Sequence, residues 1–180
     1  MSNFKIDPSH SEVSFKVKHL MISTVTGQFG AFDAEMAAEQ ADFSDAKINF
    51  NAEINSINTN NSQRDEHLKS ADFFDAAAHP KLEFTSTAFR KTDNNNYQLE
   101  GQLSLHGVVK PVVFDVEYAG QMTDPYGNEK HGFEINGKIN RKDYDLNWSA
   151  VTEAGGIVVS DEVKIADRKS TRLNSSHANV

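Results

Sequence analysis

The chain has 180 residues, a formal net charge of −8 and no cysteine. This length suits a single domain with its own core. The negative charge argues against a nucleic-acid or anionic-membrane surface, and the absence of cysteine excludes disulfides, thiolate metal sites and cysteine nucleophiles. No apolar run is long enough to cross a membrane, and the first residues lack a secretory leader. As given, the sequence predicts a cytoplasmic protein, or a periplasmic one if the true N-terminus is missing.

Apolar and polar residues alternate along most of the chain. Such alternation is typical of antiparallel strands that have one buried face and one solvated face. It predicts strands near residues 11–19, 28–37, 46–56, 82–91, 97–105, 111–120, 131–141 and 157–165. Turn-forming residues at 92–96 and 124–128 predict hairpin tips. Because closing a long sheet removes its exposed edges, the predicted fold is all-β, an eight-stranded antiparallel barrel wide enough for one small ligand.

Residues 61–78 interrupt the alternation. They lack β-branched residues, and Ser62 lies three positions before Asp65 in an arrangement similar to a capping box. Pro80 follows closely and favours a helix end before it. We therefore predict one or two short helices near residues 61–78, lying across a mouth of the barrel or against its wall.

The last fourteen residues, 167–180, are polar and unpatterned. Residues 167–177 read DRKSTRLNSSH, which is the translation of a widely used short-read sequencing adapter. We interpret residues 1–166 as the domain and residues 167–180 as translated adapter, which is expected to be disordered and to pack on nothing. On this interpretation the natural sequence beyond Ala166 is missing and the last strand is shortened.

Several short motifs occur in a fixed order along residues 3–165. They are the run Asp7-Pro8-Ser9-His10-Ser11, residues 25–29, residues 56–59, residues 64–75, residues 105–112, residues 137–144, and the closing runs at 153–156 and 161–163. Together these motifs resemble the YceI-like family. Each motif alone is short, so the specificity lies in their combination.

The resemblance implies a lipocalin-like barrel whose apolar bore holds a polyisoprenoid or another long amphipathic molecule. It also implies a homodimer, a final strand that runs past Ile165, and in many relatives a secretory signal that this sequence lacks. A protein that binds and sequesters or carries a lipid needs no catalytic residue and no cofactor, and none is predicted.

The polar residues give weak signals for chemistry. No two of the seven histidines have a spacing that would place both on one strand face or helix face, so no metal site is predicted. Arg64, Asp65 and His67 belong to the densest polar cluster. Charged residues in the first turn of a helix often serve only to stabilise the helix terminus. This structural interpretation of the cluster is favoured over the alternative, in which Arg64 or His67 contacts a polar head group at the barrel mouth.

The twelve phenylalanines are the most informative excess. Those on the buried phase of the strands either line a bore or fill a solid core. The resemblance favours a bore that holds an isoprenoid-type lipid, because aromatic-lined cavities suit hydrocarbon chains. The residues predicted to hold it are Phe15, Val17, His19, Phe32, Phe50, Ile54, Arg64, His67, Leu68, Phe73, Phe84, Leu103, Leu105, Phe114 and Phe133.

Two other functions stay open at this point. One is a stress-response or interaction module that has a solid core and no ligand. The other is a lipid-modifying enzyme that acts through His67 or His106. A cavity, or its absence, in the folded protein would separate the first of these from a lipid carrier.

Overall fold

The fold is built mainly from antiparallel strands. The structure, a computed structural model, describes residues 2–7, 11–19, 23–148, 159–167 and 173–176. These residues include one α-helix, α1 (Ser62–Lys69), and 3-10 turns at Ile54–Ser56 and Arg141–Tyr144. The strands are β1 (Ser2–Ile6), β2 (Val13–His19), β3 (Ser23–Phe29), β4 (Phe32–Ala38), β5 (Lys47–Glu53), β6 (Ile57–Asn58), β7 (Lys81–Lys91), β8 (Asn96–Leu105), β9 (Val108–Thr123), β10 (Glu129–Asn140), β11 (Val159–Asp167) and β12 (Leu173–Ser176).

These strands form one sheet that curls strongly around a common interior. Neighbours follow the order β12-β1-β4-β5-β7-β8-β9-β10-β11-β2-β3-β6, and β12 also pairs with β10. The all-β, lipocalin-like fold class is therefore confirmed. Both predicted hairpin tips are present, one between β7 and β8 and the other between β9 and β10.

The strand count differs from the predicted eight, partly because one predicted strand is divided. The run at residues 28–37 contains only the end of β3 and most of β4, so most of β3 was not predicted. Between them, Gly30 N donates to Ser56 O at 3.1 Å and Glu53 N donates to Ala31 O at 2.8 Å. These hydrogen bonds hold a bend in the backbone, so that one stretch of alternating sequence contributes two strands.

The short strand β12 lies within the segment that was expected to pack on nothing. It pairs with β1 along its length and with β10 at Leu173 and Asn174. The physical reason is that β1 and β10 present backbone donors and acceptors that any extended chain within reach can pair with. The expectation of an unpacked tail is wrong for β12, whereas the origin of the tail in an adapter stays a prediction. Residues 168–172 and 177–180 lie outside the described part of the chain.

The helix α1 occurs in the predicted segment, but Ser62 is not its cap. Asn61 precedes the first turn in an extended conformation, and its side chain accepts a hydrogen bond from Arg64 N at 3.0 Å. Asp65 accepts instead from Thr59, both from its backbone N at 2.9 Å and from its Oγ1 at 2.5 Å. Asp65 thereby ties α1 to the chain that leaves β6. After α1 the predicted helical segment continues as turns.

A β-bulge changes which residues of β7 face the interior. The register between β7 and β8 shifts between Ser86 and Ala88. Phe84 and Phe89 have opposite parity in the sequence, yet each is only 5% exposed. An extra residue in one strand reverses the alternation beyond it. A strict period of two therefore identifies Phe84 as inward-facing and misses Phe89.

The turn between β4 and β5 lies at the end of the sheet opposite α1. Phe43 has a left-handed φ of 62° in this turn. Its buried ring packs against the rings of Phe4, Tyr118, His131 and Phe133, with centroid distances from 5.0 to 5.8 Å. Edge-to-face and tilted aromatic pairs add to the free energy of apolar burial. Phe43 and its neighbours form a buried aromatic cluster at this end of the sheet, and Phe133 connects the cluster to the interior.

One carboxylate holds the turn that carries Phe43. Asp45 accepts hydrogen bonds from Gln40 N at 3.0 Å and from Glu39 N at 2.8 Å, and these bonds lower the pKa of Asp45 below its ordinary value. A carboxyl with a lowered folded-state pKa stabilises the fold above an unfolded-state pKa of about 3.9, and this contribution is lost as the pH falls through the folded-state pKa.

We expect Asp45→Asn to lower the Tm at neutral pH and to reduce the further fall in Tm below about pH 4. Melting curves recorded from neutral to acidic pH measure both effects. Asp33→Asn, which changes an exposed carboxylate on β4, serves as the control. Equal effects of the two substitutions at every pH would contradict the role assigned to Asp45.

The two-residue turn between β8 and β9 requires a glycine. His106 and Gly107 have φ of 54° and 74°, as in the tight turns that match the twist of hairpins. A Cβ at Gly107 would lie 2.7 Å from Cε1 of His79, so Gly107→Ala adds a steric clash to backbone strain. We expect it to lower the free energy of unfolding by about 1–3 kcal/mol, measured by urea denaturation. Gly127→Ala is the matched control because Gly127 has φ of 83° and open space around it; an equal loss there would rule out the contact with His79 as the cause.

Candidate functional site

The curled sheet encloses a cavity of about 530 Å³. Its lining is mostly apolar and includes nine of the twelve phenylalanines. They are Phe15, Phe29, Phe50, Phe73, Phe74, Phe84, Phe89, Phe114 and Phe133. A filled core leaves few voids larger than a water molecule, whereas ligand sites typically enclose about 300–1,000 Å³. The interior is therefore a cavity of ligand size and not a solid core.

Twelve of the fifteen residues predicted to hold a ligand line this cavity. They are Phe15, Val17, Phe50, Arg64, His67, Leu68, Phe73, Phe84, Leu103, Leu105, Phe114 and Phe133. The fold brings them together from strands distant in sequence and from α1. Their contact with a ligand stays a prediction.

The other three predicted residues are not placed on the cavity wall. Phe32 lies on the same face of β4 as the cavity residues Ala34 and Met36 and stacks on the ring of Phe50 with a centroid distance of 6.4 Å. Ile54 is buried in the 3-10 turn after β5, where the chain has left the strand and alternation no longer applies. The cavity lining leaves out both residues, and their contact with a ligand stays a prediction. The side chain of His19 lies outside the described residues.

Several wall residues were not identified from the sequence, for two different reasons. Phe29 and Phe89 lie beside irregularities, the first next to the bend at Gly30 and the second beyond the bulge in β7. Trp148 belongs to no strand, so no periodic signal marks it. By contrast, two further lining residues on β8 and β9 follow the regular alternation, although they were not among the residues predicted to hold a ligand. They are Leu99 and Val116.

One end of the cavity is polar, and we call this end the polar mouth. It consists of Thr59, Asn61, Gln63, Arg64 and His67. Arg64 Nε donates to Thr59 Oγ1 at 2.8 Å and its Nη2 donates to Thr59 O at 2.7 Å. The guanidinium group is thus oriented by the chain between β6 and α1, and it places a positive charge at the polar mouth.

An aromatic contact connects α1 to the opposite side of the polar mouth. The rings of His67 and Trp148 meet edge to face, with a centroid distance of 4.7 Å. His67 Nε2 also lies 4.0 Å from Asp72 Oδ2. Because the chain has a single tryptophan and this residue lines the cavity, its fluorescence reports directly on events at the mouth.

Arg141 anchors the segment that carries Trp148. Its side chain is 1% exposed. Nη1 donates to Leu146 O at 2.5 Å and to Trp148 O at 2.7 Å, and Nη2 lies 3.5 Å from Asp161 Oδ1. Burial lowers the pKa of Arg141, and the Asp161 carboxylate opposes that shift. Burial also raises the pKa of the neighbouring Tyr144 to about 12, so its hydroxyl is neutral at physiological pH.

Two further histidines at the α1 end contact each other and not the cavity. His106 Nδ1 lies 2.9 Å from Tyr144 O, and its ring meets that of His79 edge to face at 5.1 Å. Over the described ranges, no three histidine, aspartate or glutamate side chains are grouped so as to hold a metal ion. In the same ranges, no helix is long and apolar enough to cross a membrane.

Comparison of the chain with known proteins identifies its family. A YceI-like domain matches residues 4–167. The chain belongs to the YceI-like family. A UPF0312 protein of Pectobacterium atrosepticum is 39% identical over 143 residues, which cover 79% of this chain and 74% of the relative.

Solved YceI-like structures have the same fold. The YceI protein of Campylobacter jejuni superposes with a TM-score of 0.75 at 34% identity, covering 89% of this chain and 90% of that one. A polyisoprenoid-binding domain from Saccharophagus degradans superposes with a TM-score of 0.63 at 16% identity, covering 96% and 97%. At 16% identity, the similarity to the Saccharophagus degradans domain shows a shared fold only.

Three of the YceI-like motifs lie at the α1 end of the sheet. Residues 64–75 contribute most of α1 and the turns after it, residues 105–112 contain the turn between β8 and β9, and residues 137–144 contain Arg141. These motifs therefore build and brace the polar mouth of this YceI-like chain. The family match ends at Asp167, where the adapter-like run begins.

Proposed function

We propose that this YceI-like protein binds a long apolar molecule with a polar head, of the isoprenoid lipid type, and carries or sequesters it without changing it chemically. The observation that carries the proposal is the phenylalanine-lined cavity of about 530 Å³ that ends at the polar mouth. Removing hydrocarbon from water contributes about 25 cal/mol per Å². The fold shared with the polyisoprenoid-binding domain of Saccharophagus degradans supports the same class of ligand.

The two ends of the cavity determine how such a molecule lies in it. Phe133, which packs on Phe43, lines the cavity away from α1, while Arg64 and His67 line it at the α1 end. A polar head pushed against the phenylalanines would lose its hydrogen bonds to water without replacement. The hydrocarbon tail therefore enters first, and a hydroxyl or phosphate head stays beside Arg64 and His67.

Native mass spectrometry of freshly purified protein tests the proposal. We expect a bound lipid to add its mass to that of the chain, and protein stripped of lipid to take up geranylgeraniol with a change in Trp148 fluorescence. Recovery of the added alcohol with its mass unchanged supports carriage over a lipid-modifying activity. Protein that carries no lipid and does not bind geranylgeraniol would contradict the proposed function.

A further inference from the structure

Three phenylalanines of the cavity wall lie directly over glycines. We call these the Phe–Gly pairs: Phe15 over Gly27, Phe84 over Gly101 and Phe114 over Gly137. A Cβ placed on Gly27 would lie 2.2 Å from Cζ of Phe15, and one placed on Gly137 would lie 2.1 Å from Cδ1 of Phe114. Side chains do not approach so closely, so each ring fills the space that a side chain on the glycine would occupy.

The Phe–Gly pairs are spread around the cavity wall. They join β2 to β3, β7 to β8 and β9 to β10, and each of the three phenylalanines lines the cavity. Phe15 and Gly27 are direct cross-strand partners. Side chains on a sheet normally stand roughly perpendicular to it. A ring that lies over a glycine points along the wall instead, which leaves the centre of the cavity free.

Backbone conformation does not explain the glycines. None of Gly27, Gly101 and Gly137 has φ in the left-handed region that favours glycine. Glycine in the middle of a strand is otherwise unfavourable, because it orders a flexible residue and leaves no side chain to pack. Glycine is therefore needed at these positions because a side chain would occupy the space of the phenylalanine ring above it.

We propose that the Phe–Gly pairs set the width of the cavity and thereby select methyl-branched hydrocarbon chains over straight ones. This inference rests on the proposed function and names the residues that select its ligand. An isoprenoid chain carries a methyl branch on every fourth carbon and is wider than a straight alkyl chain. In a cavity of the right width the branches contact the wall, whereas a straight chain leaves gaps that lose dispersion contacts.

Two alcohols with the same main chain test this selection. Phytanol and hexadecan-1-ol have the same head group and main-chain length and differ only in the methyl branches of phytanol. Their dissociation constants are measured through Trp148 fluorescence for the wild type, Gly27→Ala and Gly137→Ala. The added methyl group pushes Phe15 or Phe114 into the cavity. We expect each variant to bind phytanol about tenfold more weakly, with a change of less than about threefold for hexadecan-1-ol.

Gly30→Ala is the matched control, because the nearest atom to a Cβ there is Ser56 O at 3.8 Å. It should leave the ratio of the two dissociation constants unchanged. Gly101 is not used, since a Cβ there would also lie 2.5 Å from the backbone oxygen of Thr85. The double variant Gly137→Ala with Phe114→Leu should restore the ratio, because the smaller side chain vacates the space that alanine takes.

The outcomes separate this inference from the proposed function. Folded Gly27→Ala and Gly137→Ala proteins with the wild-type ratio would overturn the role of the Phe–Gly pairs while leaving lipid binding intact. A wild type that binds neither alcohol would overturn both. If the glycine variants do not fold, Phe15→Leu and Phe114→Leu give the converse test: a wider cavity should shift the ratio further toward phytanol, and an unchanged ratio would overturn the inference.

Discussion

We expect Phe114→Asp to abolish the binding of geranylgeraniol. Phe114 is buried, lines the cavity and meets Phe84 edge to face at a centroid distance of 5.7 Å. A carboxylate at this position would face hydrocarbon with no partner, which costs several kcal/mol. That cost corresponds to a loss of affinity of at least about a hundredfold. Titrations followed by Trp148 fluorescence measure it.

The control for this prediction lies on the same strand. Val109 is 58% exposed on the outer face of β9, so Val109→Asp places the same charge in water and should leave binding unchanged. Because a buried charge also destabilises the fold, Phe50→Trp gives a second, milder test. It keeps the wall apolar but narrows the cavity, and it should weaken binding of long chains more than short ones, as measured by calorimetry because the variant has a second tryptophan. Full binding by folded Phe114→Asp protein would place the ligand outside this cavity.

The second large effect is on stability. We expect Arg141→Met to lower the free energy of unfolding by about 3 kcal/mol. The substitution removes the donor to Leu146 O and Trp148 O and one of the cations beside Asp161. It also releases the segment that places Trp148 on the cavity wall, so geranylgeraniol should bind more weakly. Urea denaturation measures the free energy of unfolding. Titration with geranylgeraniol, followed by Trp148 emission, measures the affinity.

Lys142 offers a matched control for Arg141. Its Nζ lies 3.4 Å from the same Asp161 Oδ1, but its side chain is 47% exposed. Exposed ion pairs contribute little, so Lys142→Met should cost less than about 1 kcal/mol. Arg141→Lys keeps the charge but lacks the planar fork that serves two carbonyls and a carboxylate together, and most of the loss should remain. Equal losses for Arg141→Met and Lys142→Met would show that the buried hydrogen bonds contribute nothing.

The regular parts of the fold could be predicted from the sequence because burial on one face of a strand imposes a period of two. That period identified β8 and β9 closely and placed Phe114 and Leu103 on the inner face. It failed where the backbone departs from the regular pleat. The bulge in β7 hides Phe89, and the turn after β5 takes Ile54 away from the cavity.

The polar mouth could be predicted only in part. Arg64 and His67 stand out in the sequence as a charged cluster on a helix, and both line the cavity. Their partners are set by the folded chain: Thr59 orients Arg64, and Trp148 meets His67 from a segment held by Arg141. These contacts come from the turn before α1 and from a segment distant in sequence, and they leave no periodic signal. They also explain why the helix cap was assigned to the wrong residue, since Asp65 bonds to Thr59 and not to Ser62.

The buried aromatic cluster around Phe43 has a kinetic consequence for the proposed lipid binding. A lipid that enters through the polar mouth and runs toward this cluster leaves by the route through which it came. A second lipid cannot enter until the first has withdrawn. Exchange is then limited by spontaneous dissociation, and adding more competitor does not accelerate it. In the proposed carrier, the residence time of the lipid is then set by its contacts with the cavity wall.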